Sequence, residues 1–444
     1  MIRHILKIIW NERKANGWII VEFIVVFCVL WFCCDYMSFI VKSNHEPLGF
    51  DIDHTYEIRM SKKTGMEPKE EEAIDHYSLV QTFIRRVKQY PGVESVSFSN
   101  SAAPYLRSSS SGTMVSLPDS IHVQTRIRYV SSEFFDVFKI KLEQGRIFNW
   151  EDNAESKNVI VSGNRNGHFE YTAENNKNVE VSGKGKGSSE RTEAGDKKQE
   201  LELSKIRALY NDHMKEEYPI VGIVNPTKED PYAPYLGGVY YPLGRDRTSL
   251  NSQIVVRITP HADKDFPERF TREMRQQLNL DPYFLASVVS LQSLKKDVLA
   301  YSGITGNLNS IYAITTFLVI NIFLGIIGTF WYRVQARRNE IGTRISMGAT
   351  RKDVQRMLFG ETLLLLFIAS FVAVNICLNI AQTDFLEAIG LPKANREQIG
   401  MGIEQDVINY FVTYFFLAII SLLAVWYPTR QASRVAPAEA LREE

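Results

Sequence analysis

Apolar residues are gathered in four long runs, and a mostly polar block separates the first run from the second. The runs cover 18–41, 311–332, 357–380 and 408–427, and each is 20 to 24 residues long. A helix of that length spans about 30 to 36 Å, enough to cross a hydrocarbon core of about 30 Å. The pattern therefore predicts four transmembrane helices, with the block 42–305 forming a domain outside the bilayer.

The first run could instead be a cleaved signal peptide. Its 24 residues exceed the apolar length typical of a signal sequence, and no small-x-small cleavage site follows them. We therefore predict a retained span.

Basic residues next to the runs orient the chain. Four of them alternate with apolar residues in 1–17, which predicts an interfacial amphipathic helix on the inner leaflet. The segment 333–356 is also basic, and two arginines begin the tail 428–444, whereas the loop 381–407 carries five acids. Because short basic loops stay in the cytoplasm, both termini and 333–356 are predicted to face inward and 42–305 outward.

Strand-like and helical patterns alternate through 42–305 and predict a mixed α/β domain. Strands are expected at 54–60, 93–99, 121–130, 158–162, 219–224, 237–241, 253–258 and 284–290. Helices are expected at 69–90, 132–139 and 265–279, and a Ser-rich loop at 107–112. The last helix and strand repeat the opening strand–helix order, as if a second lobe were inserted into the first.

Residues 163–200 differ from the rest of this block, because they are rich in Gly, Asn, Lys and Glu and nearly free of aliphatic side chains. The word NVIVSG at 158–163 recurs as NVEVSG at 178–183, which indicates a local duplication forming a hairpin. The run GKGKGS at 183–188 lacks the spacing and the following helix of a phosphate-binding loop. We predict a mobile surface loop here.

Three acids lie within the apolar runs: Glu22, Asp35 and Glu361. An acid inside the membrane can serve proton coupling. Each of these lies near an end of its run, which favours pairing with a neighbouring helix or with water. We predict the pairing role and keep proton coupling as the alternative.

The segment 333–356 carries seven Arg or Lys residues against two acids. Its residues 336–347 predict an amphipathic helix with Ile341 and Ile345 on the apolar edge. Gly348 suits a left-handed helix end, and Thr350 with Asp353 predicts a variant capping box for the next helix. On these grounds alone, the basic helix could simply lie on anionic lipid head groups.

Two motifs resemble those of one transporter family. The run RRNEIGTRISMGATRKD at 337–353 is similar to the coupling helix of the MacB/FtsX-type (type VII) ABC transporter permeases. The run YPTRQASRVAPAEALREE at 427–444 is similar to the closing signature of the same family. Both motifs abut a predicted span in the correct order, and weaker landmarks, YVSSEFFDVFKIKLEQGRIF and YPIVGIV, lie in the outer block.

The resemblance implies a fold class and a division into lobes. The expected protein has four transmembrane helices, a large α/β (α+β) periplasmic core domain and no fused ATPase. A porter-like lobe would be built from 45–105 and 245–305, and an inserted lobe from about 106–244, with the flexible insertion 163–200 inside it.

The resemblance also implies a surface that couples the chain to an ATPase. Ile341, Ile345 and Met347 would enter the groove of the ATPase, Glu340 and Arg344 would form a polar rim, and the glycines would permit close approach. The full set of expected coupling residues is Arg337, Glu340, Ile341, Gly342, Arg344, Ile345, Met347, Gly348 and Ala349.

By the same resemblance, the chain would be an inner-membrane permease subunit, a homodimer or pseudo-symmetric heterodimer working with a cytoplasmic ABC ATPase that binds ATP and Mg. ATPase closure would move the periplasmic domain (mechanotransmission) to export or release a drug, peptide or lipoprotein. A membrane-fusion protein and an outer-membrane channel are further partners that the family allows. The alternative is an FtsX-like regulator that switches a periplasmic cell-wall enzyme without transport. A scaffold without an ATPase is less well supported, because the coupling motif is present.

Motifs for catalysis or metal binding are missing from the sequence. We find no Ser/His/Asp order in context, no Cys/His metal spacing and no Walker or dinucleotide fingerprint. We expect no catalytic activity, metal or cofactor in this chain. A net charge of zero gives no argument for nucleic acid as a partner. All four cysteines lie in the apolar runs, so no disulfide is expected in the outer domain.

Overall fold

The computed structural model describes two units, one membrane-type and one outer. The described residues are 13–63, 75–106, 110–118, 120–149, 152, 156–171, 199–212, 214–244, 248–382, 396 and 401–432. The outer unit is Glu46–Ile304, and the membrane unit combines Met1–His45 with Thr305–Glu444.

Within the described residues, the outer unit is built from thirteen strands and four α-helices. The strands are β1 Thr55–Lys62, β2 Val93–Asn100, β3 Ser110–Leu117, β4 Ile121–Val130, β5 Leu142–Gly145, β6 Val159–Ser162, β7 His168–Tyr171, β8 Gln199–Glu202, β9 Ala208–Asn211, β10 Glu216–Val224, β11 Gly238–Pro242, β12 Gln253–Ile258 and β13 Tyr283–Ser290. The helices are α2 His76–Lys88, α3 Phe134–Val137, α4 Phe266–Met274 and α5 Leu291–Tyr301, with α1 belonging to the membrane unit.

The first and last parts of the outer unit form one antiparallel sheet. Its order is β2–β12–β1–β13. One half of this part of the chain is β1–α2–β2 and the other is β12–α4–β13, so strands of the two halves alternate across the sheet. Helices α2 and α4 pack on this sheet through Val80, Phe83, Phe266 and Phe270, which are buried in a common core. The predicted repetition of the strand–helix order is therefore present as two interleaved halves.

The middle of the outer unit closes on itself. Strands β3, β9, β10, β6 and β11 follow in that order from β4, and β11 pairs back onto β4. The resulting closed ring of six strands contains two parallel pairs, β6 with β10 and β4 with β11. A short pairing of Ser99 with Val130 joins the ring to the four-stranded sheet, so both parts share one continuous set of hydrogen bonds.

Strand β3 corrects one sequence expectation. Residues 110–112 were predicted as part of a Ser-rich loop, but they begin β3, which pairs with β4 over seven residues from Ser110 to Ser116. Serine is a weak strand former, so here the hydrogen bonds to β4 and β9 outweigh local propensity. Met114 and Val115, which point to opposite faces of the strand, are both buried, and Met114 lies in the core of the ring.

Two short strands border the unusual insertion. β7 and β8 pair antiparallel, with Phe169 opposite Leu201, and Phe169 is buried in the core of the ring. Residues 172–198 lie outside the described residues, as does the second copy of the repeated word at 178–183.

A buried arginine fixes the entry of the chain into the outer unit. Arg257 on β12 donates from Nε to the carbonyl of Val137 at 2.5 Å, from Nη1 to that of Asp53 at 2.9 Å and from Nη2 to that of Asp51 at 2.7 Å. The Asp51 carboxylate is 3.5 Å away and supplies the counter-charge. This guanidinium joins β12, the segment before β1 and helix α3.

The described residues of the membrane unit form four long apolar helices. They are α1 Arg13–His45, α6 Ile304–Ala336, α8 Arg351–Gln382 and α9 Ile403–Ala432, and each includes a stretch long and apolar enough to span a bilayer. A short helix, α7 Arg338–Ser346, joins α6 to α8. With the α/β outer unit, these helices confirm the predicted fold class.

The helix bounds refine the predicted segments. Residues 1–12 lie outside the described residues, and 13–17 continue into α1 without a break at Gly17. Most of the loop 381–407 and the tail 433–444 also lie outside them. The core of the membrane unit combines Phe23 and Phe27 of α1 with Leu365 of α8 and Leu417 of α9.

Replacing Phe83 by Ala should destabilise the outer unit by about 3–5 kcal/mol, because it empties a fully buried aromatic site. In thermal unfolding of the purified protein, the transition of the outer unit should fall by about 6 °C or more. The matched control is Gln81→Ala, an exposed position on the same helix. Equal transitions in both variants would contradict the packing described for α2.

Candidate functional site

The turn between α7 and α8 is closed at both sides by local hydrogen bonds. Gly348 has φ +100, and the amides of Gly348 and Ala349 donate to the carbonyls of Ile345 and Arg344 at 3.0 Å each. This is the Schellman pattern, in which the left-handed residue costs least when it is glycine. The helix end predicted at Gly348 is therefore present.

The capping box predicted for α8 is also present. The amide of Asp353 donates to Thr350 Oγ1 at 3.2 Å, and the amide of Thr350 donates to Asp353 Oδ2 at 3.1 Å. The first amides of a helix have no carbonyl of an earlier turn to donate to. These reciprocal bonds give the amides of Thr350 and Asp353 side-chain acceptors instead. The path of the chain from α7 into α8 is thus fixed by the backbone and two side chains.

The apolar edge of α7 packs inside the chain. Ile341 is 2% exposed and lies in a cluster with Val334, Val354 and Leu358, against which Ile345 is partly buried. The expectation that the Ile341 side chain enters a groove on an ATPase is corrected here, because that side chain anchors α7 to the ends of α6 and α8. Ile345 is half-buried for the same reason, and Gly342 is also buried.

A buried ionic cluster lies beside this apolar contact. Glu361 of α8 is 2% exposed, and its carboxylate accepts a hydrogen bond from Arg337 Nη1 at 2.8 Å and a second from Arg333 Nη2. Arg333 Nη2 also donates to Asn16 Oδ1 at 2.5 Å. The cluster therefore joins α1, α6, the start of α7 and α8 through one carboxylate.

Arg337 was predicted as a coupling residue, but its side chain is buried in this cluster. Its Nε lies 3.6 Å from Glu340 Oε2, and Glu340 also pairs with Arg344 at 2.6 Å across one turn. Glu340 and Arg344 are only partly buried. They lie between the side of α7 that packs on α6 and α8, the anchored side, and the side that is exposed to solvent, the open side.

The open side of α7 ends in an exposed methionine. Met347 is 76% exposed, and Thr343, Ser346 and Gly348 beside it are exposed as well. Ala349 is half-buried. Of the predicted apolar contact residues, Met347 is the one that this structure leaves on the surface.

Two family models match the chain. The MacB-like periplasmic core domain matches residues 41–272, which is more than half of the chain, and the FtsX-like permease C-terminal model matches residues 312–437. The chain belongs to the MacB/FtsX-type ABC transporter permeases. As a member of this family it is a membrane-embedded permease component with an outer domain, and such components are not themselves catalytic.

Two similar solved structures are isolated outer domains. The periplasmic region of MacB from Actinobacillus actinomycetemcomitans is 16% identical, with coverage of 57% of this chain and 97% of that one and a TM-score of 0.28. The extracellular domain of the transporter YknZ from Gram-positive bacteria is 13% identical, with coverage of 52% and 99% and a TM-score of 0.28. The family assignment rests on the two model matches. The curated proteins include no match.

The other two acids of the permease's spans contact neighbouring helices. Thr329 Oγ1 donates to Glu22 Oε2 at 3.0 Å. Asp35 accepts hydrogen bonds from Arg396 Nη1 at 2.7 Å and from Asn409 Nδ2 at 2.9 Å. Sequence reasoning identified the three acids but not their partners, because periodicity cannot tell which helices are adjacent.

The described residues of this permease hold no group of three or more His, Cys, Asp or Glu side chains placed to bind a metal ion. The cysteines at 28, 33, 34 and 377 are all free thiols in the membrane unit. The candidate site is the structured turn around α7, with its apolar cluster and its ionic cluster.

Replacing Glu361 by Ala should destabilise the membrane unit by about 3–5 kcal/mol, because two buried guanidinium groups lose their shared carboxylate. Thermal unfolding of the detergent-solubilised permease should show the loss as an earlier transition. The control Glu404→Ala removes an exposed acid from α9. Unchanged unfolding of Glu361→Ala relative to this control would refute the structural role of the cluster.

Proposed function

We propose that this chain is the permease subunit of an ABC transporter that converts ATP hydrolysis in a partner ATPase into movement of its periplasmic domain. It lies in the cytoplasmic membrane with both termini and α7 in the cytoplasm, and it acts as a homodimer or pseudo-symmetric heterodimer. ATP and Mg are bound by the partner chain. The moving domain exports or releases a periplasmic substrate, with a membrane-fusion protein and an outer-membrane channel as further partners in the export form.

The observation that carries the proposal is the two-sided character of α7. One side is held by Ile341 and the cluster around Glu361, and the other side ends in the exposed Met347. Single exposed apolar residues are common on proteins, so exposure alone carries little weight. A flexible apolar side chain on a firmly anchored, basic, cytoplasmic helix is suited to insertion into a groove of a partner protein.

The contacts also suggest how the movement is transmitted. Arg337 at the start of α7 binds Glu361 of α8, and Arg333 of α6 binds the same carboxylate. The capping box and the Schellman turn fix the backbone conformation at the other end of α7. Displacement of α7 by an ATPase would therefore shift the inner ends of α6 and α8 together. Because α6 and α8 are candidate spans, the shift would be carried across the membrane.

The second candidate function is regulation of another protein. The match of residues 312–437 to the FtsX-like permease model is the reason to consider it. In this form the same ATP-driven movement would switch a periplasmic cell-wall enzyme without moving a substrate. The two functions share the ATPase and differ outside the membrane. Proteins recovered with the permease from native membranes would separate them, since a membrane-fusion protein supports export and a cell-wall hydrolase supports regulation.

Replacing Met347 by Asp should lower the amount of ATPase that co-purifies with the permease by about tenfold or more, as for the central contact of an interface. Membrane insertion should be unchanged, because the Met347 side chain is 76% exposed and lies outside the apolar cluster that anchors α7. Met214→Asp is the matched control, since Met214 is a 58% exposed methionine of the outer unit.

Equal ATPase recovery with Met347→Asp and with the control would refute the docking surface. An Ile341→Asp variant would not answer the question, because it places a charge inside the cluster that anchors α7. Recovery of no ATPase even with the unaltered permease would leave α7 as an element of the lipid surface and overturn the proposed function.

A further inference from the structure

A cavity of about 250 Å³ lies inside the outer unit, between the four-stranded sheet and the closed ring. Its volume is that of about eight water molecules in the liquid. Its walls come from the loop after β2, from β4, from the loop after β10 and from β11. Polar side chains on these walls include Tyr105, Arg128, Thr227, Lys228 and Tyr240. The coupling function assigns no role to this cavity.

Arg128 presents a buried positive charge to the cavity. The residue is 8% exposed, and its Nη1 donates to Tyr240 Oη at 2.9 Å and to Thr227 Oγ1 at 3.2 Å. The guanidinium also lies over the Tyr240 ring, 5.2 Å from the ring centre. Among the described residues, no carboxylate lies within ion-pair distance of this guanidinium. A buried arginine normally has such a partner, because an unpaired charge in a protein interior is costly.

Tyr105 adds a hydrogen-bond donor without an acceptor. The residue is 7% exposed, and within the part of the chain that the structure describes its hydroxyl has no hydrogen-bond partner. Its ring is fixed edge-on against Phe50, with 6.2 Å between the ring centres. Burial raises the pKa of the Tyr105 hydroxyl, so the group stays protonated and able to donate. Buried tyrosine hydroxyls usually have a partner, and this one lines the cavity.

The acids that border the cavity are already engaged. Glu229 pairs with Arg126 at 2.8 Å, and Asp230 Oδ1 accepts from the amides of Tyr232 and Ala233 at 2.8 and 2.9 Å. Neither of them neutralises Arg128.

Lys228 adds a second buried cation to the same wall. Its Nζ donates to the Pro231 carbonyl at 3.4 Å and lies 4.9 Å from the centre of the Tyr235 ring, with Glu46 contributing an attractive charge. Burial lowers the pKa of the Lys228 ammonium.

Part of the cavity lining is apolar. Ala103, Phe134, Ile140 and Val298 belong to it, and the first three are buried in the core between the sheet and the ring. A ligand that fills the cavity therefore meets both cationic hydrogen-bonding groups and apolar side chains.

We propose that this cavity binds a small organic carboxylate, with its anionic head between Arg128 and Tyr105 and a short apolar group against Phe134 and Ile140. A planar carboxylate matches the free edge of a guanidinium, which offers two parallel donors. A phosphate group fits less well, because its charge of about −1.5 to −2 would face Glu229 and Asp230 as well as the cations. The head could come from a free short-chain acid or from the last residue of a peptide.

Binding would connect the two parts of the outer unit. Tyr105 follows β2 of the four-stranded sheet, whereas Arg128 lies on β4 of the closed ring. The strand pairing between these parts is the short one of β2 with β4, and the amide of Ser131 extends it by donating to the carbonyl of Phe98 at 2.9 Å. A ligand held by both residues would add a link between side chains across this junction.

The test is calorimetric titration of the full-length detergent-solubilised protein, without nucleotide. The probes are isovalerate, a tetrapeptide ending in leucine with a free carboxylate, the same tetrapeptide as a C-terminal amide, and inorganic phosphate. Saturable binding of isovalerate alone identifies a free acid as the source, and binding of the free-carboxylate peptide but not of its amide identifies a peptide end. Stronger binding of phosphate, or no saturable binding of either carboxylate, would overturn the proposal.

Two variants locate the binding. Tyr105→Phe removes a hydroxyl that has no hydrogen-bond partner in the described structure, so it should leave folding intact and weaken carboxylate binding by about tenfold. Arg128→Gln should abolish measurable binding. Tyr301→Phe and Arg272→Gln, both at exposed positions, are the matched controls. If Arg128→Gln fails to fold, Tyr105→Phe decides alone, and unchanged affinity in Tyr105→Phe would place any binding elsewhere.

Discussion

The carboxylate of Glu361 is the constraint on which the packing around α7 at one end of the membrane unit depends. A buried carboxylate must be paired, since the cost of removing it from water is several kcal/mol even after the protein relaxes. Here the pairing comes from Arg333 and Arg337, which lie one helical turn apart where α6 ends and α7 begins. The position of Glu361 on α8 therefore fixes where the chain leaves α6. Asn16 extends the same constraint to α1 through Arg333.

This constraint explains why one side of α7 is buried against the chain and the other side is exposed. Once Arg337 is directed at Glu361, the helix that follows must present Ile341 to the apolar cluster of Val334, Val354 and Leu358. Residues on the other side then face away from the chain, and Met347 at the end is the largest apolar group among them. The basic composition of the segment is the basis for its proposed cytoplasmic position, while the buried cluster determines which of its side chains remain exposed.

Much of this arrangement could be predicted from the sequence. Apolar runs of about 20 residues give spans, and Gly348, Thr350 and Asp353 give a turn, because both signals depend on short stretches of chain. The apolar edge of α7 with Ile341 could be recognised from helical periodicity, but its packing partner could not be predicted, since only the contact with α6 and α8 shows that this edge is buried within the chain. The same limit applies to β3, where Ser110 and Ser111 form a strand because β4 lies beside them.

Among its described residues the outer unit has two buried arginines, which differ in how many of their nitrogens donate hydrogen bonds. All three nitrogens of Arg257 donate to backbone carbonyls, and Asp51 balances its charge, so the fold itself accounts for this residue. Arg128 is nearly as buried, yet its Nη1 alone donates, to two hydroxyl groups, and no carboxylate of the described residues approaches it. A methionine or leucine would fill the same volume without the cost of desolvating a charge. The contacts of Arg128 with Thr227 and Tyr240 leave its charge unbalanced, and the anion that we propose for the cavity beside it would balance that charge.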